Sequence, residues 1–174
     1  MGRLTHANGD TYQGQWVDGE AHGQGVFCDK KGSMYSGQWQ NDVQHGHGIE
    51  KWDFSRIVYT GDFFRGEKTG SGRFDFDGST YNGQFVDGKF HGEGRYYYAD
   101  SGKIYTGDFR DNQLQGKGVM LWPDQSKYVG DFNNGKIEGR GKRYYANGNI
   151  YEGEWENDHP HGEGIFYKAD DKTY

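Results

Sequence analysis

Histidine pairs, short glycine runs and a single cysteine are the residues of this chain whose types and spacing could do chemistry. His45 with His47, and His159 with His161, invite a metal. Neither pair brings the further ligands that a closed site needs. The recurring histidine position also accepts Thr69, Gln115 and Glu138, which suits a cross-strand polar role instead. Gly23-Gln24-Gly25 and its counterparts look like fragments of phosphate loops, yet none opens a helix, where such loops work. Cys28 lies in a connector without a distinctive partner, the carboxylates are scattered, and no serine is set beside an activating base. The expectation is a chain with no catalytic residue, no metal site and no cofactor. Two other groupings remain. Lys136, Arg140, Lys142 and Arg143 form a basic cluster that could touch phosphates, a phospholipid surface or an acidic partner, or be a solvated face balanced by Asp131 and Glu138. The second grouping is a set of aromatic residues in fixed register.

The aromatic set depends on a repeat. Tyr12, Tyr35, Tyr59, Tyr81, Tyr105, Tyr128 and Tyr151 are each followed by glycine two residues later, an aromatic four later, and glycines eleven and thirteen later. The aromatics at the fourth position are Trp16, Trp39, Phe63, Phe85, Phe109, Phe132 and Trp155. The period is 22 to 24 residues, the signature of a repeat architecture. Residues 12–173 therefore read as a seven-repeat array, residues 1–11 as the trailing half of a preceding repeat or a cap, and Tyr174 as the start of another repeat. On that reading the chain is a fragment of a longer array, or ends in half-repeat caps.

Six and seven residues after each tyrosine stand Asp18-Gly19, Asn41-Asp42, Arg65-Gly66, Asp87-Gly88, Asp111-Asn112, Asn134-Gly135 and Asn157-Asp158. Asn, Asp and Gly tolerate the positive φ of a two-residue type I′ turn, so each repeat reads as a β-hairpin. If those two residues are the whole loop, Trp16 faces Ala21, Gly14 faces Gly23 and Tyr12 faces Gly25, with the same register in later repeats. Gln15 then faces His22, and Asp131 faces Glu138 as a like-charge pair. Tyrosine, glycine and second aromatic share one face because strand side chains alternate. Glycine leaves bare backbone for the rings to lean over. Isolated hairpins are marginal, so neighbouring repeats must pair their edges. The expected fold class is all-β, an elongated single-layer twisted antiparallel sheet of seven stacked hairpins, on the order of 65 Å long at roughly 4.8 Å per strand.

Composition is consistent with this. Leu, Ile, Val and Phe number only 27, but the 30 aromatics in phase supply a core that a disordered chain lacks. A net charge of -6 with mixed signs disfavours nucleic acid, whose partners carry a basic stripe. No apolar run approaches the roughly 18 residues of a membrane span, and the N-terminus lacks a secretory signal pattern. The expected location is cytoplasmic, not secreted.

Tyr12-Gln-Gly-Gln-Trp16 with His22-Gly-Gln-Gly25, Tyr35-Ser-Gly-Gln-Trp39 with His45-Gly-His-Gly48, and Tyr151-Glu-Gly-Glu-Trp155 with His161-Gly-Glu-Gly164 closely resemble the MORN (membrane occupation and recognition nexus) repeat. The resemblance covers nearly the whole chain. It implies a non-catalytic hairpin array serving as a scaffold or docking surface, in the setting of cytoskeletal, ciliary or membrane-contact assemblies or attached to a larger enzyme. A single-layer sheet has no second layer to cover the tyrosines and second aromatics, so part of that ladder is expected to stay open as a groove for a helix or an extended peptide. The connector aromatics Trp52, Tyr98, Trp122 and Tyr145 are placed to leave it open or to fold over it. Open terminal strands would allow homodimer pairing. The rival expectation is a phospholipid-binding module using the four basic residues.

Overall fold

Fifteen strands and no α-helix make up the described residues, 1–52 and 56–169, of the computed structural model. The expected repeat start at Tyr174 lies outside them. The chain divides into two units, Met1–Lys89 and Phe90–Tyr174. The first holds β1 (Gly2–Thr5), β2 (Thr11–Val17), β3 (Glu20–Cys28), β4 (Met34–Gln40), β5 (Val43–Trp52), β6 (Ile57–Phe64), β7 (Glu67–Phe76) and β8 (Ser79–Val86). The second is formed by β9 (Lys89–Tyr97), β10 (Ile104–Arg110), β11 (Gln113–Leu121), β12 (Lys127–Asn133), β13 (Lys136–Tyr144), β14 (Ile150–Glu156) and β15 (His159–Tyr167). Within each unit every strand pairs antiparallel with its neighbours in sequence. The fold is all-β, as the repeat predicts. β1 meets β2 with Gly2 opposite Gly14, just as Gly25 meets Gly37 one repeat later, so residues 2–5 follow the pattern of a trailing strand.

The turns follow their chemistry. Both central residues have positive φ in all seven pairs, for example 50° and 86° at Asp18-Gly19 and 51° and 63° at Asn41-Asp42, the type I′ conformation that matches strand twist. Each of the six turns after Asp18-Gly19 also docks on the hairpin before it. The amide of the second turn residue donates to a backbone carbonyl there, as from Asp42 to Ala21 and from Asn112 to Phe90. Where that residue is Asp or Asn, its side chain accepts the return bond from the same residue's amide, at 2.7 Å for Ala21 and 2.8 Å for Phe90 and Ile137.

The register differs from the simple hairpin by two residues beyond the turn. Trp16 faces Ala21 and Gln15 faces His22 as expected, but Gly14 faces Gly25, not Gly23, and Tyr12 faces Phe27, not Gly25. The cause is a bulge at Gly23-Gln24. Gly23 takes φ 62°, its strand leaves the ladder for two residues, and the amide of Gln24 turns to the Gln15 side chain, Oε1, at 2.7 Å. The same bond recurs from His47 to Gln38, Ser71 to Asp62, Lys117 to Asp108, Arg140 to Asp131 and Glu163 to Glu154. In these six repeats an acceptor side chain three residues after the tyrosine therefore takes up an amide that the bulge removes from the ladder. In the sixth repeat Asp131 has no partner in the β12–β13 register, and the expected Asp131–Glu138 opposition is not formed. Asp131 bonds Arg140 and Lys117, while Glu138 accepts from Asn133.

The core is one face of this sheet. Each repeat tyrosine lies over the glycine pair of its own hairpin, and its hydroxyl donates to the carbonyl three residues on, at 2.8 to 3.1 Å in all seven repeats. The glycines are required by this close approach: a Cβ on Gly107 would meet the Gly118 Cα and the Lys117 carbonyl oxygen at 2.5 Å. The rings interlock edge to face. Tyr35 meets Trp39 at 5.1 Å and Phe63 at 5.0 Å, and Tyr105 meets Phe109 at 5.1 Å and Phe132 at 4.9 Å, near-perpendicular in each case. Such pairs contribute about 0.5–1.5 kcal/mol each beyond area burial.

Candidate functional site

The aromatic ladder closes on itself and is not an open groove. Tyr12, Tyr35, Tyr59, Tyr81, Tyr105, Tyr128, Phe63, Phe85, Phe109, Phe132 and Trp155 are all buried, and Trp16, Trp39 and Tyr151 are half-buried. Neighbouring repeats supply the cover that a second layer would otherwise give, because Tyr12, Tyr35, Tyr59, Tyr105 and Tyr128 each sit between the second aromatics of their own and the next repeat. Residues opposite the tyrosines, such as Phe27, Phe74 and Met120, add to it. The connector aromatics lie on this same side: Trp52 meets Phe74 at 5.7 Å, Tyr98 meets Tyr96 at 4.2 Å and Tyr145 meets Phe166 at 6.2 Å. Glu50 and Lys68 are an ionic inset, joined at 2.7 Å with the ammonium 4.6 Å from the Trp52 ring centre.

Burial shifts the tyrosine hydroxyls. Desolvation, reinforced by the Glu50 carboxylate, pushes Tyr35 up to about 12. Burial and the neighbouring Tyr96 bring Tyr98 to about 12, and burial likewise raises Tyr59, Tyr105 and Tyr128. Unfolded tyrosines ionise near ~10. The folded chain thus holds protons that the unfolded chain releases, so the contribution is fully present below about pH 10 and is lost as pH rises toward about 12. Alkaline titration should therefore unfold the sheet around these tyrosines. Tyrosinate absorbance of the buried rings should rise together with loss of the β-sheet circular dichroism signal; full ionisation with the sheet intact would contradict the burial.

The basic cluster does not converge. Arg140 pairs with Glu154 at 3.1 Å and Lys142 with Glu152 at 2.9 Å, and the Arg140 bond helps hold the Glu154 carboxyl below its usual range. Lys136 reaches from a turn to Asn157 at 2.8 Å. Arg143 lies on the ladder side, its guanidinium 3.5 Å from the Trp122 ring centre and donating to Ser126 at 3.3 Å, where burial lowers it from the usual arginine range. Asp131 and Glu138 are not the balancing carboxylates for Arg140 and Lys142; Glu154 and Glu152 are. The histidines are dispersed too: His47 bonds Asp62 at 3.1 Å and His161 lies 3.4 Å from Glu156, and among the described residues no group of three or more metal-ligating side chains comes together.

The open surface is the opposite face. In the second unit a groove of about 900 Å3 runs across strands β10 to β15. Its floor is the backbone of the glycine pairs Gly107/Gly118, Gly130/Gly141 and Gly153/Gly164. One wall is the cross-strand row Thr106, Val119, Val129, Lys142, Glu152 and Ile165; Val129 is 40% and Ile165 58% exposed. The other carries Lys117, Arg140 and Glu163. This second wall is an ionic ladder, in which each carboxylate takes a bulge amide on one oxygen and the basic residue of the preceding repeat on the other. Asp131 bonds Arg140 N and Lys117, and Glu154 bonds Glu163 N and the Arg140 side chain. Sequence reasoning missed the apolar wall. Its signal was the position fourteen after the tyrosine, apolar at Val26, Ile49, Val119 and Ile165, joined by Val129 one residue after Tyr128, on the face the tyrosines do not use.

A family model for the MORN repeat matches residues 12–34, 35–53, 59–80, 81–103, 105–127, 128–150 and 151–173. No curated protein matches the chain. Among solved structures, the SAS-4 (dCPAP) TCP domain of Drosophila melanogaster, in complex with a proline-rich motif of Ana2 (dSTIL), is similar over 95% of this chain and 88% of its own, at 11% identity and a TM-score of 0.49. A likeness at that level carries no argument about ligands.

Proposed function

Since the chain belongs to the MORN repeat family, we propose that it is a non-catalytic protein-binding module whose contact surface is the face opposite its aromatic ladder. The observation that carries this reading is the groove of the second unit, floored by glycine backbone and walled on one side by exposed Val129 and Ile165 and on the other by ion-paired side chains. A wall that sets Val119, Val129 and Ile165 beside the Lys142–Glu152 pair, facing an ionic one over an accessible backbone floor, suits an extended peptide: its apolar side chains meet the valines and isoleucine while its polar groups lie along the ion pairs. The ladder residues hold the sheet and present this face; they do not touch the partner. We place the partner in a cytoskeletal or membrane-proximal assembly, on the strength of where such repeats occur. An anionic-lipid contact has less support, because Arg140 and Lys142 are already paired with carboxylates and Arg143 is stacked on Trp122.

A peptide-display selection against the intact chain tests the reading, with the selected peptides titrated onto variants. The groove predicts peptides whose affinity falls by about tenfold or more in Val129→Lys and Ile165→Lys. Selected peptides indifferent to both substitutions would remove the groove from the account.

A further inference from the structure

In the first unit four of the eight residues flanking the turns on the open face are apolar and exposed, Val17 by 52%, Val43 by 41%, Phe64 by 53% and Val86 by 46%; the other four are Glu20, Gln40, Glu67 and Lys89. The apolar four lie at the turn ends of β2, β5, β6 and β8. Between Val43 and Phe64 the surface dips into a hollow also lined by Gln40, His45 and Arg65. The His45 ring stands 5.5 Å from Phe64 on the adjacent strand.

The second unit provides an internal control. At the same positions relative to the repeat tyrosines it carries Arg110, Asn133 and Glu156 before the turns and Gln113, Lys136 and His159 after them. There the polar groups serve one another and the turns: Gln115 bonds Asn133 at 3.2 Å, Asn133 bonds Glu138 at 3.3 Å, and Lys136 bonds Asn157 at 2.8 Å. Both units build the same hairpins and the same type I′ turns, so the fold does not require apolar side chains here. Their exposure at these positions in one unit only is a surface property, and exposed apolar residues interleaved with acidic ones along one row offer an amphipathic surface for a partner.

The charges of the stripe indicate what occupies it. Glu20 and Glu67 stand in it opposite Val17 and Phe64, and Asp18, Asp42 and Asp87 lie in its turns, against Arg65, whose guanidinium is 5.3 Å from the Phe64 ring centre, and Lys89. From β2 to β8 the stripe crosses six strand spacings, about 29 Å at roughly 4.8 Å each. That is the length of about 19 residues of helix. We propose that the turn-side stripe of the first unit docks a basic amphipathic helix of a protein partner, its apolar side on Val17, Val43, Phe64 and Val86 and its lysines or arginines toward the acidic residues of the stripe. The site is separate from the groove of the second unit and stands or falls without it.

The test is fluorescence anisotropy of a labelled 18-residue synthetic peptide of leucine and lysine in helical amphipathic order, titrated with the intact chain. A leucine and glutamate peptide of the same order is the control. Binding of the lysine peptide is expected, weakening by about tenfold or more in Val43→Ser with Phe64→Ser, and again in Glu20→Lys with Glu67→Lys. Val129→Lys should leave it unchanged, which separates this site from the groove. All these positions are exposed, so the variants retain the sheet, checked by circular dichroism. Equal binding of the glutamate peptide, no binding of the lysine peptide, or binding that ignores both double variants would overturn the proposal.

Discussion

Gly107→Ala is expected to destabilise the second unit by about 3 kcal/mol, the upper end for overpacking. Most of its close neighbours cannot yield. The new methyl would sit 2.5 Å from the Gly118 Cα and from the Lys117 carbonyl oxygen, both backbone of the paired strand, and 2.6 Å from the Tyr105 hydroxyl. Relief would require β10 and β11 to separate, which also breaks the bond from that hydroxyl to the Asp108 carbonyl. Gly135→Ala is the matched comparison. Its φ of 83° strains an alanine, but nothing lies within 4 Å of the added carbon, so the cost should be about 1–2 kcal/mol. Because repeat arrays do not unfold in one all-or-none step, amide hydrogen exchange in β10 to β13 is a better reading than a single midpoint. Equal protection in the two variants would mean that the glycine pair is not what admits the tyrosine.

Tyr105→Ala should cost about 3–5 kcal/mol, as for other large aromatic truncations in a core. The side chain is fully buried, is held edge to face by Phe109 and Phe132, and fills the space over Gly107 and Gly118. Tyr105→Phe separates the ring from its hydroxyl. It keeps the aromatic contacts but leaves the Asp108 carbonyl without the donor 2.9 Å away, an expected loss of about 1–3 kcal/mol. The same pair of substitutions at Tyr151 should cost less, because that ring is half-buried and has one repeat aromatic, Trp155, against it. Amide hydrogen exchange in the substituted repeat of the four variants checks the order. If Tyr105→Phe were neutral, the hydroxyl shared by all seven repeats would need another explanation.

Much of the fold was legible in the chain. The period gave the repeats, and pairs such as Asn134-Gly135 gave the turns, because few residues accept two successive positive φ values. The register beyond the turn was not read, since nothing in a simple alternation announces that Gly23-Gln24 leaves the ladder. A sign was present all the same. Every repeat has Gln, Asp or Glu three residues after its tyrosine, from Gln15 to Glu154, and an unvarying acceptor beside an unvarying glycine indicates a freed amide. The openness of the aromatic face was misjudged for a different reason. A single layer was expected to leave rings open, but aromatics about 5 Å apart and perpendicular cover one another's faces and edges, so Tyr59 and Tyr81 are fully buried without a second layer. The basic cluster misled in the same way, since closeness in sequence put Lys142 and Arg143 on opposite faces of one strand.

The central claim is that the aromatic ladder is core and that the surface available to partners is the other face. Hydroxyl-radical footprinting of the folded chain, read residue by residue by mass spectrometry, addresses it most directly. Tyr59, Tyr81, Phe85, Tyr105 and Tyr128 should be protected to the level of buried side chains, while Phe64, Val17, Val129 and Ile165 are labelled at rates near those of an unfolded control. Rapid labelling of the ladder tyrosines in the folded chain would contradict the account and return the aromatic face to the partner.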